Sequence, residues 1–312
     1  NQSVKKRISL FLGAAIIILP YFLCHGETEI LDENFRKNSS EKFVELQKGF
    51  THYEEAGSEN REALVLVHGF STPYPIWDKN FSELAKHFHV FRYDLYGRGF
   101  SDRPNVKYDE NLFTSQLEDF VKQMKLDRFH LAGVSMGGAI AVHFANRHPE
   151  MIGKLILIDP AGMPMKTGIL AGLIRVPLLG EYITNVFGNL SFKSGFKSNF
   201  YNEIDYSDLQ KKYISQLVYK GYKRAILSTV RYMPLDRMER EYADLGKKEM
   251  SVLLIWGKQD TVIPFENAAK IQSHIPRLKL LTVDSCGHTP QYEKPELINP
   301  ALIEFLQGKR LH

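Results

Sequence analysis

Gly133-Val134-Ser135-Met136-Gly137 sets one serine between two glycines, after the apolar run Phe129 to Val134 and before the small-residue stretch Gly138 to Asn146. At so sharp a strand-to-helix turn the serine hydroxyl is lifted clear of a sheet, and only small neighbours leave room for the turn. The chemistry this suits is nucleophilic attack. A serine hydroxyl is a poor nucleophile near neutral pH, so it needs an imidazole to take its proton and a carboxylate to orient that imidazole. Two later segments supply both: Ser251 to Trp256 runs into Gly257-Lys258-Gln259-Asp260, and Leu278 to Val283 runs into Asp284-Ser285-Cys286-Gly287-His288. The order Ser135, Asp260, His288 puts each group in a loop after a strand, and doubly wound sheets gather functional groups outside the carboxyl ends of their strands. A glycine-rich loop with a serine helix cap and a turn aspartate is the bland alternative, and it is weakened by the presence of both partners.

Five segments in sequence order carry a resemblance. They are "LVLVHGF" at Leu64 to Phe70, "YDLYGRGFSD" at Tyr93 to Asp102, "GVSMGG" at Gly133 to Gly138, "LLIWGKQD" at Leu253 to Asp260 and "CGHTPQYEKP" at Cys286 to Pro295. Together they span most of the chain, residues 64–295, and resemble serine hydrolases of the α/β-hydrolase fold, in the branch that includes bacterial esterases and lipases and monoacylglycerol lipase-like enzymes. The resemblance implies that Ser135 is the nucleophile, His288 the general base and acid, and Asp260 the carboxylate that holds the imidazole. It also implies an oxyanion hole built from the amides of Met136 and Phe70. His68 then reads as a structural loop histidine, because the family commonly has His-Gly there, and Ser71 as an ordinary loop hydroxyl.

Other aspartates also end strands. Asp159 follows Lys154 to Ile158, a position some relatives use for the acid, but Pro160 follows it and it reads as a strand terminator. Asp284 reads as a loop-capping side chain, and Asp94 as the anchor of the "DLYGRGFSD" loop through backbone amides. Haloalkane dehalogenases and epoxide hydrolases resemble the chain around His68-Gly69 and Asp94, yet attack with aspartate where this chain has Ser135. Carbon-carbon bond hydrolases do use serine, but usually with a more glycine-rich oxyanion loop than "HGFSTPYPIW".

To position these groups the chain must alternate strand and helix. Strand-like runs fall at Phe43 to Leu46, Phe50 to Glu54, Ala63 to Val67, Val90 to Tyr93, Phe129 to Val134, Leu155 to Ile158, Val252 to Trp256 and Leu278 to Val283. Helical stretches fall near Trp77 to Phe88, Glu110 to Met124, Gly138 to Arg147, Pro264 to Ser273 and Pro295 to Gln307. The expected class is α/β, an α/β-hydrolase fold with a mainly parallel sheet, helices on both faces, and a first hairpin turning at Lys48-Gly49. Between Ile158 and Ser251 the connection is too long for a simple crossover, so residues 163–248 are expected to form an inserted helical cap on a core of residues 40–162 and 249–312. Its apolar first half, broken by Pro164 and Pro177, offers Met163, Leu170, Ile174 and Phe187 as lining of a water-poor substrate cleft over Ser135.

The formal net charge of +4 gives no case for nucleic acid. Residues 163–248 carry 14 basic against 8 acidic side chains, a surplus that suits an anionic membrane surface or simply solvated helix faces. Histidines and cysteines lack metal-ligand spacing and no phosphate-cradling glycine loop is present, so no metal or cofactor is expected. Cys24 and Cys286 form no disulfide framework, and Cys286 reads as a packed small residue. Lys5-Lys6-Arg7 precedes the apolar run Ile8 to Cys24. Seventeen residues of helix span about 25 Å against about 30 Å of bilayer hydrocarbon, so residues 1–26 read as a signal anchor or a signal peptide. The basic flank keeps that end cytoplasmic and places the catalytic domain across the membrane, anchored there or secreted after cleavage.

The expectation is a serine esterase or lipase acting on apolar acyl esters, monoacylglycerols or short-to-medium chains. The same triad also suits a carbon-carbon bond hydrolase or a thioesterase. A noncatalytic binding module on this fold has no physical need for all three triad residues.

Overall fold

The computed structural model describes residues 19–24, 26–165, 168–201 and 205–309. Its sheet opens with an antiparallel hairpin of β1 (Lys42–Leu46) and β2 (Gly49–Ala56), in which Leu46 pairs with Gly49. Gly49 has φ +133 and lies against the Asp102 side chain, so the turn demands glycine both by conformation and by space. There follow β3 (Ala63–Val67), β4 (His89–Tyr93), β5 (Phe129–Val134), β6 (Ile152–Ile158), β7 (Val252–Gly257) and β8 (Lys279–Val283). The order across the sheet is β1-β2-β4-β3-β5-β6-β7-β8. β2 meets β4 antiparallel, and from β4 to β8 every pairing is parallel.

All residues of β3, β5 and β7 are buried, as continuous apolar runs require when helices cover both faces of a parallel sheet. Alternate residues supply two cores. Val65, Val67, Leu131, Leu157, Leu254 and Trp256 face one side. Leu64, Leu66, Ala132, Val134, Ile156, Leu253 and Ile255 face the other.

Helix α1 (Glu33–Asn38) precedes the sheet, and α2 (Asp78–Leu84), α3 (Glu110–Gln123) and α4 (Met136–Arg147) link its strands. Between β6 and β7 come α5 (Ile169–Arg175), α6 (Leu179–Gly195), α7 (Ser207–Ser215), α8 (Tyr222–Tyr232) and α9 (Glu239–Gly246). After β7 come α10 (Glu266–His274), α11 (Pro290–Glu293) and α12 (Pro295–Leu306). Helices α3 and α4 cover the first core through Leu117, Phe120, Ile140 and Phe144, while α2 and α12 cover the second through Leu84, Ile298 and Leu302. Asp109 caps α3 by accepting from the Leu112 N–H at 3.0 Å.

Helices α5, α6 and α8 pack on one another, whereas α9 packs on α4 and α10. This last helix of the inserted segment therefore belongs to the core layer. Tyr242 and Leu245 place its apolar stripe in the first core, and the Tyr242 hydroxyl donates to the Ala161 carbonyl at 2.6 Å.

The N-terminal segment is buckled to the inserted helices. Thr28 and Glu29 N–H both donate to the Val218 carbonyl, and Lys220 N–H donates to the Glu29 carbonyl. The Glu27 carboxylate accepts from Gly221 and Lys223 N–H at the start of α8, and Tyr21 stacks on Tyr182 of α6. Among the described residues no helix is long and apolar enough to cross a membrane. Residues 1–18, which hold most of the apolar run, lie outside the described residues.

Candidate active site

Ser135 joins β5 to α4 with φ 56 and ψ −121, a backbone conformation an L-residue adopts only where its surroundings impose it. Its neighbours leave room for it only as glycines. A Cβ on Gly133 would stand 2.2 Å from the Gly137 carbonyl oxygen, and one on Gly137 would stand 2.4 Å from that of Val67. The turn is further held by Ser135 N–H to the Ile158 carbonyl at 2.9 Å and by Ala161 N–H to the Ser135 carbonyl at 3.0 Å.

His288 follows β8 and is almost fully buried, with its Nδ1 2.7 Å from Asp260 Oδ2. The other oxygen of Asp260 accepts from Val262 and Ile263 N–H at 2.7 and 2.9 Å, so both lone-pair faces of the carboxylate are used and its orientation is fixed. His288 N–H donates to the Asn199 carbonyl, and Gly287 N–H donates to the Glu293 carboxylate, which also accepts from Tyr201 N–H. The histidine loop is thus gripped by the inserted segment as well as by the core.

Asp159, at the end of β6, is completely buried, and carboxylate oxygens of Asp159 and Asp260 and a ring nitrogen of His288 all lie within 4.8 Å of one another. Asp159 Oδ1 accepts from Gly257 N–H at 3.0 Å, and it is Asp260 that holds His288 Nδ1. Burial, and then the charge of Asp260, hold the Asp159 carboxyl well above the usual range. Among the described residues Asp284 caps no loop amide: its exposed side chain pairs with Lys258 Nζ at 2.7 Å, an interaction open to it because β7 and β8 end side by side.

Asp94 anchors its loop as its position suggested, accepting from Tyr74 and Phe100 N–H. Its second partner was not legible in sequence. His52 Nδ1 lies 2.8 Å from Asp94 and Nε2 lies 3.1 Å from Glu41. Burial disfavours the His52 charge, yet these two carboxylates outweigh it and raise the imidazole to about 9, while Asp94 is held low despite its burial. His68 is likewise buried, and here burial wins: it is pushed down to about 4. The neutral ring accepts from Leu95 N–H at Nε2 and bonds the Gly69 carbonyl through Nδ1.

A cavity of about 110 Å³ adjoins Ser135 and His288, lined also by Gly69, Phe70, Ser71, Thr72, Ile76, Val134, Asn199, Val262 and Thr289. Phe70 stands on its wall, and Met136 begins α4, where its N–H is one of those with no acceptor inside the helix. Three of the four apolar residues expected over Ser135, Met163, Ile174 and Phe187, are not among the lining. Met163 is buried in the first core beside Met238 and Tyr242, Ile174 lies half-buried on α5, and Phe187 is 51% exposed on α6. The Leu170 side chain lies outside the described residues. Helices α5 and α6 pack on each other and on α8, and the inserted segment reaches the cavity through Asn199, after α6 has ended.

A family model described as the alpha/beta hydrolase fold matches residues 62–295. The 2-hydroxy-6-oxo-6-(2'-aminophenyl)hexa-2,4-dienoic acid hydrolase of Metapseudomonas resinovorans is 26% identical over 296 residues, 91% of this chain and 97% of its own. Among solved structures, a bacterial membrane phospholipase A described as a virulence factor superposes with TM-score 0.70 at 25% identity, covering 99% of both chains. The meta-cleavage product hydrolase of Pseudomonas fluorescens IP01 superposes with TM-score 0.72 at 22% identity, over 86% of this chain and 97% of its own.

Proposed function

The chain belongs to the α/β-hydrolase family, and from that premise we propose that it is a serine hydrolase cleaving carboxylic esters of apolar acyl groups through an acyl-enzyme. In this reading Ser135 Oγ attacks the ester carbonyl and His288 takes its proton, while Asp260 holds the imidazole from the other ring nitrogen and favours its charged form. The amides of Phe70 and Met136 receive the oxyanion. His288 then protonates the departing alcohol, and water delivered through the same imidazole releases the acid.

The observation that carries the ester reading is the wall of the cavity. Apart from His288, no side chain lining it among the described residues is ionisable as acid or base. A dienoic acid needs a cation to receive its carboxylate, and a buried carboxylate without one is costly. The hydrolase of M. resinovorans, similar along nearly its whole length, favours the second reading, a carbon-carbon bond hydrolase. The likeness to the membrane phospholipase A, which extends over 99% of this chain, favours lipid acyl esters.

Location follows the same line. The apolar run with its basic flank is a membrane segment in this reading, with the catalytic domain on the non-cytoplasmic side. Its described end, Leu19–Cys24, exposes Phe22 and Leu23, as the neighbouring inserted helices expose Leu178 and Leu190.

The deciding experiment is labelling with a fluorophosphonate, followed by turnover of p-nitrophenyl esters of graded length beside 2-hydroxy-6-oxo-6-phenylhexa-2,4-dienoate. Labelling at Ser135 with ester turnover dominant is expected, and dienoate turnover above that of every ester overturns the ester reading. Recovery in carbonate-washed membranes with the domain open to external protease is expected of the full chain. Protection from that protease in intact cells overturns the orientation.

A further inference from the structure

Three consecutive carbonyls of the loop in front of Ser135 are held from behind by side chains that do not line the cavity. His68 Nδ1 bonds the Gly69 carbonyl at 2.8 Å, Arg98 Nε donates to the Phe70 carbonyl at 2.8 Å, and Gln216 Nε2 donates to the Ser71 carbonyl at 2.7 Å. Across a trans peptide a carbonyl and the following N–H point in opposite directions. His68 thus fixes the peptide that carries the Phe70 N–H, Arg98 the one that carries the Ser71 N–H and Gln216 the one that carries the Thr72 N–H. His68 belongs to the loop itself; Arg98 and Gln216 come from elsewhere in the chain.

We propose that Arg98 and Gln216 are positioning residues of the oxyanion loop, and that Gln216 makes the loop's geometry depend on the seating of the inserted helices. This rests on the serine hydrolase reading of Ser135. Gln216 lies between α7 and α8 and is buried, and its side-chain oxygen accepts from Gly99 N–H at 2.9 Å. One amide thus ties the inserted segment both to the oxyanion loop and to the glycine-rich loop after β4. Arg98 is wholly buried, and its hydrogen-bond acceptors among the described residues are all uncharged: Phe70 O, Tyr96 O and Thr229 Oγ1. Thr229 is on α8, so Arg98 too reaches from the core to the inserted helices. The rings of Phe70, Tyr108 and Phe113 surround the guanidinium at 5.3 to 5.9 Å, which locks the fork in place.

The test compares Gln216→Met, which removes both amide bonds at similar length, and Arg98→Lys, which keeps the charge and loses the fork. Two readouts are used: p-nitrophenyl butyrate kinetics, and the rate of fluorophosphonate labelling at Ser135, which needs the oxyanion loop whatever the natural substrate. In folded protein, kcat and the labelling rate are expected to fall together by about tenfold to a hundredfold, below the loss seen when an oxyanion donor is itself removed, while KM stays within about twofold. Gln216→Glu, which keeps the acceptor for Gly99 and loses the donor to Ser71, is expected to fall as far as Gln216→Met. Gln216→Met with both rates within about twofold of the unsubstituted protein overturns the proposal, and it decides alone if Arg98→Lys does not fold. An unsubstituted protein that labels at Ser135 but cleaves no ester refutes the ester reading and leaves the labelling comparison to judge this one.

Discussion

Asp159 and Asp260 stand side by side at the ends of β6 and β7, two buried carboxyl groups before one imidazole, with Asp260 alone bonded to His288 Nδ1 at 2.7 Å. Two like charges that close oppose each other's ionisation in a buried setting, and burial together with the Asp260 charge raises the Asp159 carboxyl well above its ordinary value. In the proposed mechanism Asp260 is the carboxylate that steadies the imidazolium, while Asp159 is tied to the Gly257 N–H at its own strand end.

Asp260→Asn is therefore expected to lower kcat about 10⁴-fold by releasing the imidazole from its orientation, and Asp159→Asn, which imitates the protonated acid, to keep kcat within about threefold at pH 7. A carboxyl whose folded pKa is raised binds its proton longer than the unfolded chain does, so it costs stability as pH rises above about 4. Asp159→Asn should raise Tm at pH 7 and leave it unchanged at pH 3.5. Collapse of activity in Asp159→Asn with near-normal Asp260→Asn would move the acid to β6.

His52 makes the opposite contribution. Its folded pKa of about 9 lies above the ordinary 6.5, so the stability it adds is complete below pH 6.5 and is lost as pH rises through about 9. The carboxylates facing it, Asp94 and Glu41, are both held low and stay ionised across that range. Denaturant unfolding should show stability falling between pH 6.5 and 9 with a slope of up to about 1.4 kcal/mol per pH unit, and His52→Gln should flatten it. An equal slope in both proteins would place the titration elsewhere.

Gly137→Ala should disable the turn without touching a catalytic atom. Its Cβ would meet backbone oxygens of Val67 and His68 at 2.4 and 2.5 Å, which cannot swing aside as a side chain can. The expected loss is about 1–3 kcal/mol of stability, as for other overpacked sites, with fluorophosphonate labelling falling further than Tm alone accounts for. Unchanged labelling would mean the elbow tolerates a methyl group.

Acyl-chain preference should follow Ile76 and Val262, which line the cavity, and not Phe187, which is half exposed. Ile76→Ala enlarges the cavity and is expected to shift the preferred p-nitrophenyl ester by two or more carbons, at about 0.8 kcal/mol for each newly buried methylene. Phe187→Glu should leave butyrate turnover within about twofold. The reverse pattern would return the acyl site to α6.

Much of this molecule is written locally in its sequence. The period-two and unbroken apolar runs mark all eight strands, because a sheet covered on both faces selects those residues one by one. Gly133 announces the elbow locally, because its steric limit is Gly137, whereas the limit on Gly137 is set across the sheet by Val67 and His68. The order of Ser135, Asp260 and His288 after their strands follows from the same alternation. What tertiary structure alone decided lies across long separations. The resemblance already favoured Asp260 over Asp159, but the contact of Asp260 Oδ2 with His288 Nδ1 forms only in the fold, where both aspartates end neighbouring strands. The place of α9 in the core depends on which surface its apolar stripe finds. His52 with Asp94, Arg98 with Phe70 and Gln216 with Ser71 are polar groups whose pattern marks no element, and they acquire meaning only when the folded chain buries them against each other. A buried polar side chain must find a partner, but sequence does not say where that partner stands.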